Sequence, residues 1–512
     1  MARTKILPFE KASALLGRLR KRGKKIVQCH GTFDLVHPGH VHHLEEAREL
    51  GDLLVVTVTS EKFVNKGPGR PFFNDQLRAR SLAALSCVDY VVLVPHAAAV
   101  EAIDTVKPDI YCKGREYAET STDVTGNIHD DIAAVKRHGG EIRYLGAVVF
   151  SSSKLINNFF DNLTPGVKTF CKELARGCPP NELRKQVDGF GKLKVLLIGD
   201  VIFDRYSTVK MQGLTSKNRI LSGRFLSEET HAGGALAIYR HIKQFTPHVK
   251  FISLVGTEPW VAAALQSEIA KDDDWMLRDE KFTTVVKQRY VEPLVSGKEM
   301  LKLFAVNYID DTVPPGATQR ALLTRIADCI ADFDLVVVAD FGHGLMQREH
   351  RALVQEQAPF FCLNCQTNSN NHGFNIISRQ YQRADAFTLD EQELLLACAR
   401  RPIEFLHELE LLRESLGAKY AWLTRGGVET IGLHDGEKPA LCLPLDHTVV
   451  DTVGAGDAFF SVAALAAAAG LRADVATFLG QLAGAQAVKI VGNREPISKQ
   501  VLLKSGMSLL NF

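Results

Sequence analysis

A chain of 512 residues is too long for one hydrophobic core and implies at least two domains. Lys plus Arg number 61 against 59 for Asp plus Glu, a net charge of +2, so the charge balance offers no case for nucleic acid or an anionic membrane surface, and small molecules are the expected partners. Ten scattered cysteines, the lack of an apolar leader-like run and the lack of any apolar run near the about 18 residues of a membrane span read as a reduced, cytoplasmic protein. Cys362 and Cys365 in FCLNC have redox or zinc spacing, but no second pair follows and the run reads as a strand.

From 25 to 160, apolar β-rich runs (KIVQC, DLLVVTVTS, DYVVLV, DIYCKG, EIRYLGAVV) alternate with helical patterns near 40–50, 76–86, 97–106 and 129–138. This alternation implies a doubly wound, Rossmann-like α/β domain over 1–160, with ligands at the carboxyl ends of its strands. Residues 161–192 turn polar, with Pro and Gly in DNLTPGVK and GCPPNEL, and read as a linker carrying a short helix. KVLLIGD then opens a second alternation through KFISLVG, DLVVVADFG, PFFCLN, KYAWLTRGG and ETIGLHD, ending in two Ala-rich helices. It defines a second α/β domain over 193–512. Within it, STVKMQG, NRILSGRFL and TTVVKQRYVE break the alternation and are expected to form a small β lid.

The first candidate site is GTFDLVHPGH, 31–40, where a strand gives way to a helix. His37 and His40, three apart around Pro38, share one side of a first helical turn, where free N–H groups and the dipole favour phosphate. Two imidazoles there can donate hydrogen bonds to a pentavalent phosphorus. A metal site recruiting His42 or His43 lacks supporting ligands at a suitable spacing, and core histidines are the other alternative.

With HPGH after the first strand, this region resembles the cytidylyltransferase-like branch of the nucleotidyltransferases. The resemblance implies that His37 and His40 stabilise the transition state, with Gly31, Thr32 and Phe33 at the nucleotide. It makes Lys66 in NKGPGRPF a mobile catalytic cation, and Arg78 and Lys113, beside Gly114, neutralisers of phosphate. Ser152 and Ser153 in FSSSKLIN become a phosphate-binding helix start. No general base is needed, because the acceptor is an already ionised phosphate.

The second candidate site is DTVGAGDAFFSVAALAAAAG, 451–470. Gly454, Ala455 and Gly456 can offer backbone N–H groups to a transferring phosphoryl, while Asp457 takes a proton from the attacking hydroxyl. TRGG (Thr424, Gly426, Gly427) ends a strand one element earlier and suits close approach to a nucleotide. These residues resemble the ribokinase or PfkB sugar-kinase family, which implies Asp457 as the base and Asp200 and Asp204 as sugar ligands. It also implies Gly233 and Gly234 as the substrate turn, with Glu393, beside Asp390, ordering Mg2+ indirectly. Two departures stand out: Ala237 or Ile238 replaces a pocket asparagine, and Gln366 in LNCQTN replaces the lysine of an Asp-Pro-Lys.

Together the halves resemble bifunctional heptose-type kinase/nucleotidyltransferases, although those run kinase first. The expectation is an enzyme that phosphorylates a sugar with ATP and transfers a nucleotidyl group from CTP or ATP to the sugar 1-phosphate, with Mg2+, as a homo-oligomer such as a dimer. The alternative is a transferase acting on a polyol or other phosphate, with a catalytically silent, sugar-binding kinase-like domain.

Overall fold

The computed structural model describes residues 5–64, 66, 70–115, 127–146, 163–292, 300–310, 314–368, 371–446 and 448–512. The chain divides into two compact units, one comprising Met1–Pro180 with Leu503–Phe512, the other Asn181–Leu502.

The first unit holds six parallel strands: β1 (Ile6–Leu7), β2 (Ile26–Gly31), β3 (Leu53–Thr59), β4 (Tyr90–Val94), β5 (Ile110–Gly114) and β6 (Glu141–Leu145), in the order β1-β4-β3-β2-β5-β6. Successive side chains of a strand serve opposite faces. Val27, Cys29, Leu54 and Val56 pack into one apolar cluster, and Ile26 and Val55 into another on the far side. Both faces are buried, which is why these strands read as continuous apolar runs rather than alternating ones. The strand order reverses between β2 and β5, so Gly31 and Gly114 flank the switch-point crevice where such sheets bind ligands.

In the second unit the strands are β7 (Val195–Gly199), β8 (Val201–Leu214), β9 (Leu221–Gly233), β10 (Val249–Ile252), β11 (Leu254–Val255), β12 (Leu277–Arg278), β13 (Val285–Val291) and β14 (Lys302–Tyr308). They continue with β15 (Leu335–Asp340), β16 (Phe361–Cys365), β17 (Ala386–Asp390), β18 (Tyr420–Thr424), β19 (Thr430–His434) and β20 (Ala440–Cys442). Eight form one sheet, β10-β7-β15-β16-β17-β18-β19-β20, parallel up to β18 and antiparallel at the β19 and β20 edge. The lid is a four-stranded sheet, β14-β13-β8-β9, and β11 pairs with β12. The three irregular segments are therefore β8, β9 and β13. Their fourth partner, β14, carried no distinct signal.

Cys362 and Cys365 lie three apart on β16, so they face opposite sides of the sheet, both buried, and do not form a site. The stretch read as a linker is mostly helical where described, with helices Pro165–Gly177 and Pro180–Gly189 assigned to different units. Among the described residues no helix is long and apolar enough to cross a membrane.

Candidate active sites

In the first unit the chain leaves β2 at Gly31 and enters helix α1 (Pro38–Arg48) with His37 as its N-cap. His37 has extended backbone, and its Nδ1 accepts the N–H of His40 at 3.3 Å. One imidazole thus caps the turn that carries the other. Because Nδ1 accepts, the neutral tautomer of His37 keeps its proton on Nε2, as a donor. The two rings stack with centroids 3.8 Å apart, and His40 meets the Phe33 ring edge-on at 5.2 Å. Burial, then the neighbouring His37, holds His40 down to about 3, and burial lowers His37 as well. Both are neutral near pH 7, and His40 Nδ1 is buried without a hydrogen-bond partner. The pair suits an anion received through hydrogen bonds at a helix start rather than through imidazolium charge.

The surrounding cations occupy distinct places. Burial, reinforced by Arg70, lowers Lys66 to about 8. Arg70 bonds Asp34 at 3.1 Å, and Asp34 also accepts the N–H groups of Phe72 and Phe73 at 2.7 and 3.1 Å, so this aspartate anchors one end of the basic loop. Arg78, expected at phosphate, turns to the protein interior here. It is buried in helix α2 (Asp75–Ala83), and its guanidinium donates to the carbonyls of Thr32 and Thr59 at 2.6 and 2.9 Å and to Asp75. It shapes the Thr32 turn from behind. Lys113 forms an ion pair of 2.8 Å with buried Asp131, beside the Tyr111 ring. Ser152 and Ser153 lie outside the described residues. His30, which sequence reading passed over, contacts Thr57 and Thr59 at 3.0 and 3.2 Å and supports the floor. His42 pairs with Glu46 at 3.4 Å and His43 with Cys29 at 3.6 Å, so neither joins His37 and His40.

In the second unit, helix α5 (Ala455–Ala468) begins between two cavities; helices α3 (Gly234–Ile242) and α4 (Glu391–Cys398) precede it in the chain. The larger, about 550 Å³, is lined by Thr424, Gly426, Gly427, Ala455 and Phe459 among others. The smaller, about 170 Å³, holds Asp204, Lys287, Arg289, Gln366 and Asp457. Gly456 borders both. Gly454 is required twice over: its φ is 83°, and a Cβ would stand 1.9 Å from Asn493 Oδ1. Asp457 Oδ1 accepts the Gln366 amide at 3.0 Å. Burial, then the Asp204 charge, pushes Asp457 up to about 6, within range for a general base near neutrality. Buried Asp451, the first residue of DTVGAGD, fixes the loop by accepting from Tyr206 at 2.9 Å, Gly492 N–H at 3.0 Å and Lys302 at 2.7 Å.

Comparison with known families fits this geometry. A cytidylyltransferase-like family model matches residues 29–159, and a pfkB family carbohydrate kinase model matches 315–500. The chain joins a cytidylyltransferase-like domain to a pfkB-family carbohydrate kinase domain. Among similar curated proteins, the bifunctional protein HldE of Syntrophotalea carbinolica is 42% identical over 150 residues, covering 29% of each chain. That of Helicobacter pylori is 46% identical over 115 residues, 22% of this chain and 24% of the relative. The matches therefore span less than a third of those relatives' length. Similar solved structures include Escherichia coli phosphofructokinase-2 with potassium, 14% identical with a TM-score of 0.49, covering 62% of this chain and 99% of that one.

The kinase-family match begins at 315, so the acceptor-side residues of β8, β9 and β13 lie outside it. Asp204, on β8, lines the smaller cavity and is ion-paired to Arg289. Gly233 pairs with Ile202 across the lid and has no room for a side chain, because a Cβ would stand 2.2 Å from Asp204 Oδ2. Gly234 borders the cavity at the start of α3. Asp200 accepts the N–H groups of Phe341 and His343 through Oδ2 at 3.0 and 3.5 Å, so it holds that loop, while its Oδ1 is buried without a hydrogen-bond partner. Glu393 takes part in a reciprocal helix cap. Its carboxylate accepts the N–H groups of Asp390 and Thr367 at 2.9 and 3.0 Å, while Asp390 accepts that of Glu393 at 2.8 Å. Among the described residues no three His, Cys, Asp or Glu side chains converge as a metal site. Magnesium fits this donor set only as a triphosphate-bound ion with few protein ligands.

Proposed function

We propose that the chain is a bifunctional enzyme of nucleotide-sugar synthesis. Its kinase-family domain phosphorylates a sugar or sugar phosphate with ATP, heptoses being the first candidates. Its cytidylyltransferase-like domain then transfers a nucleotidyl group from CTP or ATP to the sugar 1-phosphate and releases pyrophosphate. The observation that carries the reading is the pair of cavities meeting at Gly456, with Asp457 on the smaller side. A nucleotide in the larger cavity brings its terminal phosphoryl to the α5 start, and an acceptor in the smaller brings a hydroxyl to Asp457.

In the first step the hydroxyl oxygen bonds to the γ-phosphorus, the bond to the β-phosphate oxygen breaks, ADP leaves and the proton passes to Asp457. Lys287 and Arg289 supply cations beside the transfer path. In the second step a sugar phosphate oxygen attacks the α-phosphorus and pyrophosphate leaves, with no proton to remove. His37 and His40 donate to the strained phosphoryl oxygens while Lys66 adds positive charge. When bound with a triphosphate, magnesium would offset part of its negative charge.

On this reading the enzyme works in the cytoplasm, and the exposed apolar side chains of the lid (Leu221 63%, Phe225 62%, Phe304 52%) support a dimer. No observation favours the alternative of a silent sugar-binding domain. The test follows ADP and pyrophosphate together with ATP and CTP over heptoses, hexoses and their phosphates. Asp457→Asn is expected to abolish sugar-dependent ADP formation, while supplied sugar 1-phosphate restores pyrophosphate release. Unchanged ADP formation in the variant sinks the kinase assignment.

A further inference from the structure

Gln366 follows directly on β16, where the sequence departs from the lysine of related sugar-phosphate kinases. Its backbone is held from both sides: its N–H donates to the Asp340 carbonyl at 2.9 Å, and its carbonyl accepts from Asn375 at 3.2 Å. A side chain anchored in that way has few places to go. Its amide nitrogen donates to Asp457 Oδ1 at 3.0 Å, inside the smaller cavity. A lysine there would bring a mobile charge to the phosphoryl; the glutamine brings a fixed, neutral donor to the base.

We propose that Gln366 is a positioning residue for phosphoryl transfer, holding Asp457 by Oδ1 so that Oδ2 is left to take the acceptor proton. The proposal rests on the kinase reading of this domain. In the step it serves, the acceptor O–H proton goes to Asp457 Oδ2 as the oxygen–γ-phosphorus bond forms and ADP departs. Gln366 itself exchanges no proton. Besides Gln366, the groups acting on Asp457 come from three elements. Asp204 of β8 raises it and Lys287 of β13 lowers it; Arg289, also on β13, is paired to Asp204; and Glu393 of α4 lies within electrostatic range. The Gln366 hydrogen bond acts in the same direction as Lys287, toward the ionised form. Removing it therefore moves the titration of Asp457 upward, which a merely structural contact would not do.

The test uses the full chain with Gln366→Leu, which keeps the bulk and loses the donor, and Gln366→Lys, which keeps a donor. Losing one hydrogen bond to a charged group predicts a fall in kcat for ADP formation of roughly tenfold or more at pH 7. The acidic limb of the kcat profile is expected to move up by about one pH unit with KM for ATP unchanged, and Gln366→Lys is expected to restore a limb at or below that of wild type. In parallel, carboxyl-labelled aspartate NMR follows Asp457 directly, its resonance identified by its absence in Asp457→Asn. If Gln366→Leu leaves both the kinetic limb and this titration unchanged, the proposal is overturned. If wild type forms no ADP with any sugar, the kinase reading fails, and the NMR titration alone decides the contact: an upward shift upholds it and no shift overturns it. A Gln366→Leu chain that does not fold leaves Gln366→Lys to decide, through a downward limb or none.

Discussion

At the scale of single residues, the two sites handle phosphate by different electrostatic means. The transferase side sets neutral imidazoles beside one cation whose charge is itself marginal. Burial lowers Lys66 to about 8, so its ammonium is intact below that pH and is lost as pH rises through it. Since kcat/KM reports the free enzyme, kcat/KM for the triphosphate in pyrophosphate release is expected to fall about tenfold per pH unit above pH 8. Lys66→Arg, which stays charged, is expected to remove that limb. A limb that persists in the arginine variant would assign it to another group. His40, held down to about 3, contributes no limb between pH 5 and 8, and burial moves the His37 titration below its ordinary range. The histidine pair was legible in the sequence because Pro38 fixed it at a helix start. What Arg78 and Asp200 do was not, since a motif gives the identity of a charged side chain and not its direction. Both turn inward, Arg78 donating to two backbone carbonyls and to Asp75, and Asp200 accepting backbone N–H groups.

Among the elements, the start of α4 shows how one spacing serves two chemistries. Carboxylates three apart read as a metal-ordering pair by resemblance, and the same interval makes a reciprocal cap. The structure has the cap, with Asp390 and Glu393 each accepting the other's N–H. Asp390→Ala is therefore expected to cost about 1 kcal/mol of stability in this unit. Tryptophan fluorescence measures it cleanly, because Trp260, Trp275 and Trp422 all belong to Asn181–Leu502. A lower urea midpoint at unchanged slope is the expected result, and an unchanged midpoint would mean that the cap contributes nothing. The lid was read from segments that broke the alternation, but β14 escaped. Its residues are largely exposed on a sheet edge, so burial imposes little pattern on them.

For the molecule as a whole, alternation of strand and helix was enough to separate two α/β units, because a parallel sheet buried on both faces leaves an unbroken apolar record. The fate of the last residues left no such record. An amphipathic helix pattern says that a face is buried and not in which core. Leu503–Phe512 group with the first unit, with Leu509 and Leu510 buried at 3% and 2% exposure and Lys172 over the Phe512 ring at 5.4 Å. Burying two leucines contributes roughly 2–3 kcal/mol apiece, a large part of one domain's net stability. Deleting 503–512 is therefore expected to make pyrophosphate release, carried by residues more than 400 positions away in sequence, fail at a lower temperature than in the full chain. ADP formation and the tryptophan unfolding midpoint are expected to stay put, since the deletion leaves Asn181–Leu502 whole. Loss of the kinase signal with pyrophosphate release intact would place the segment's contribution in the second unit instead.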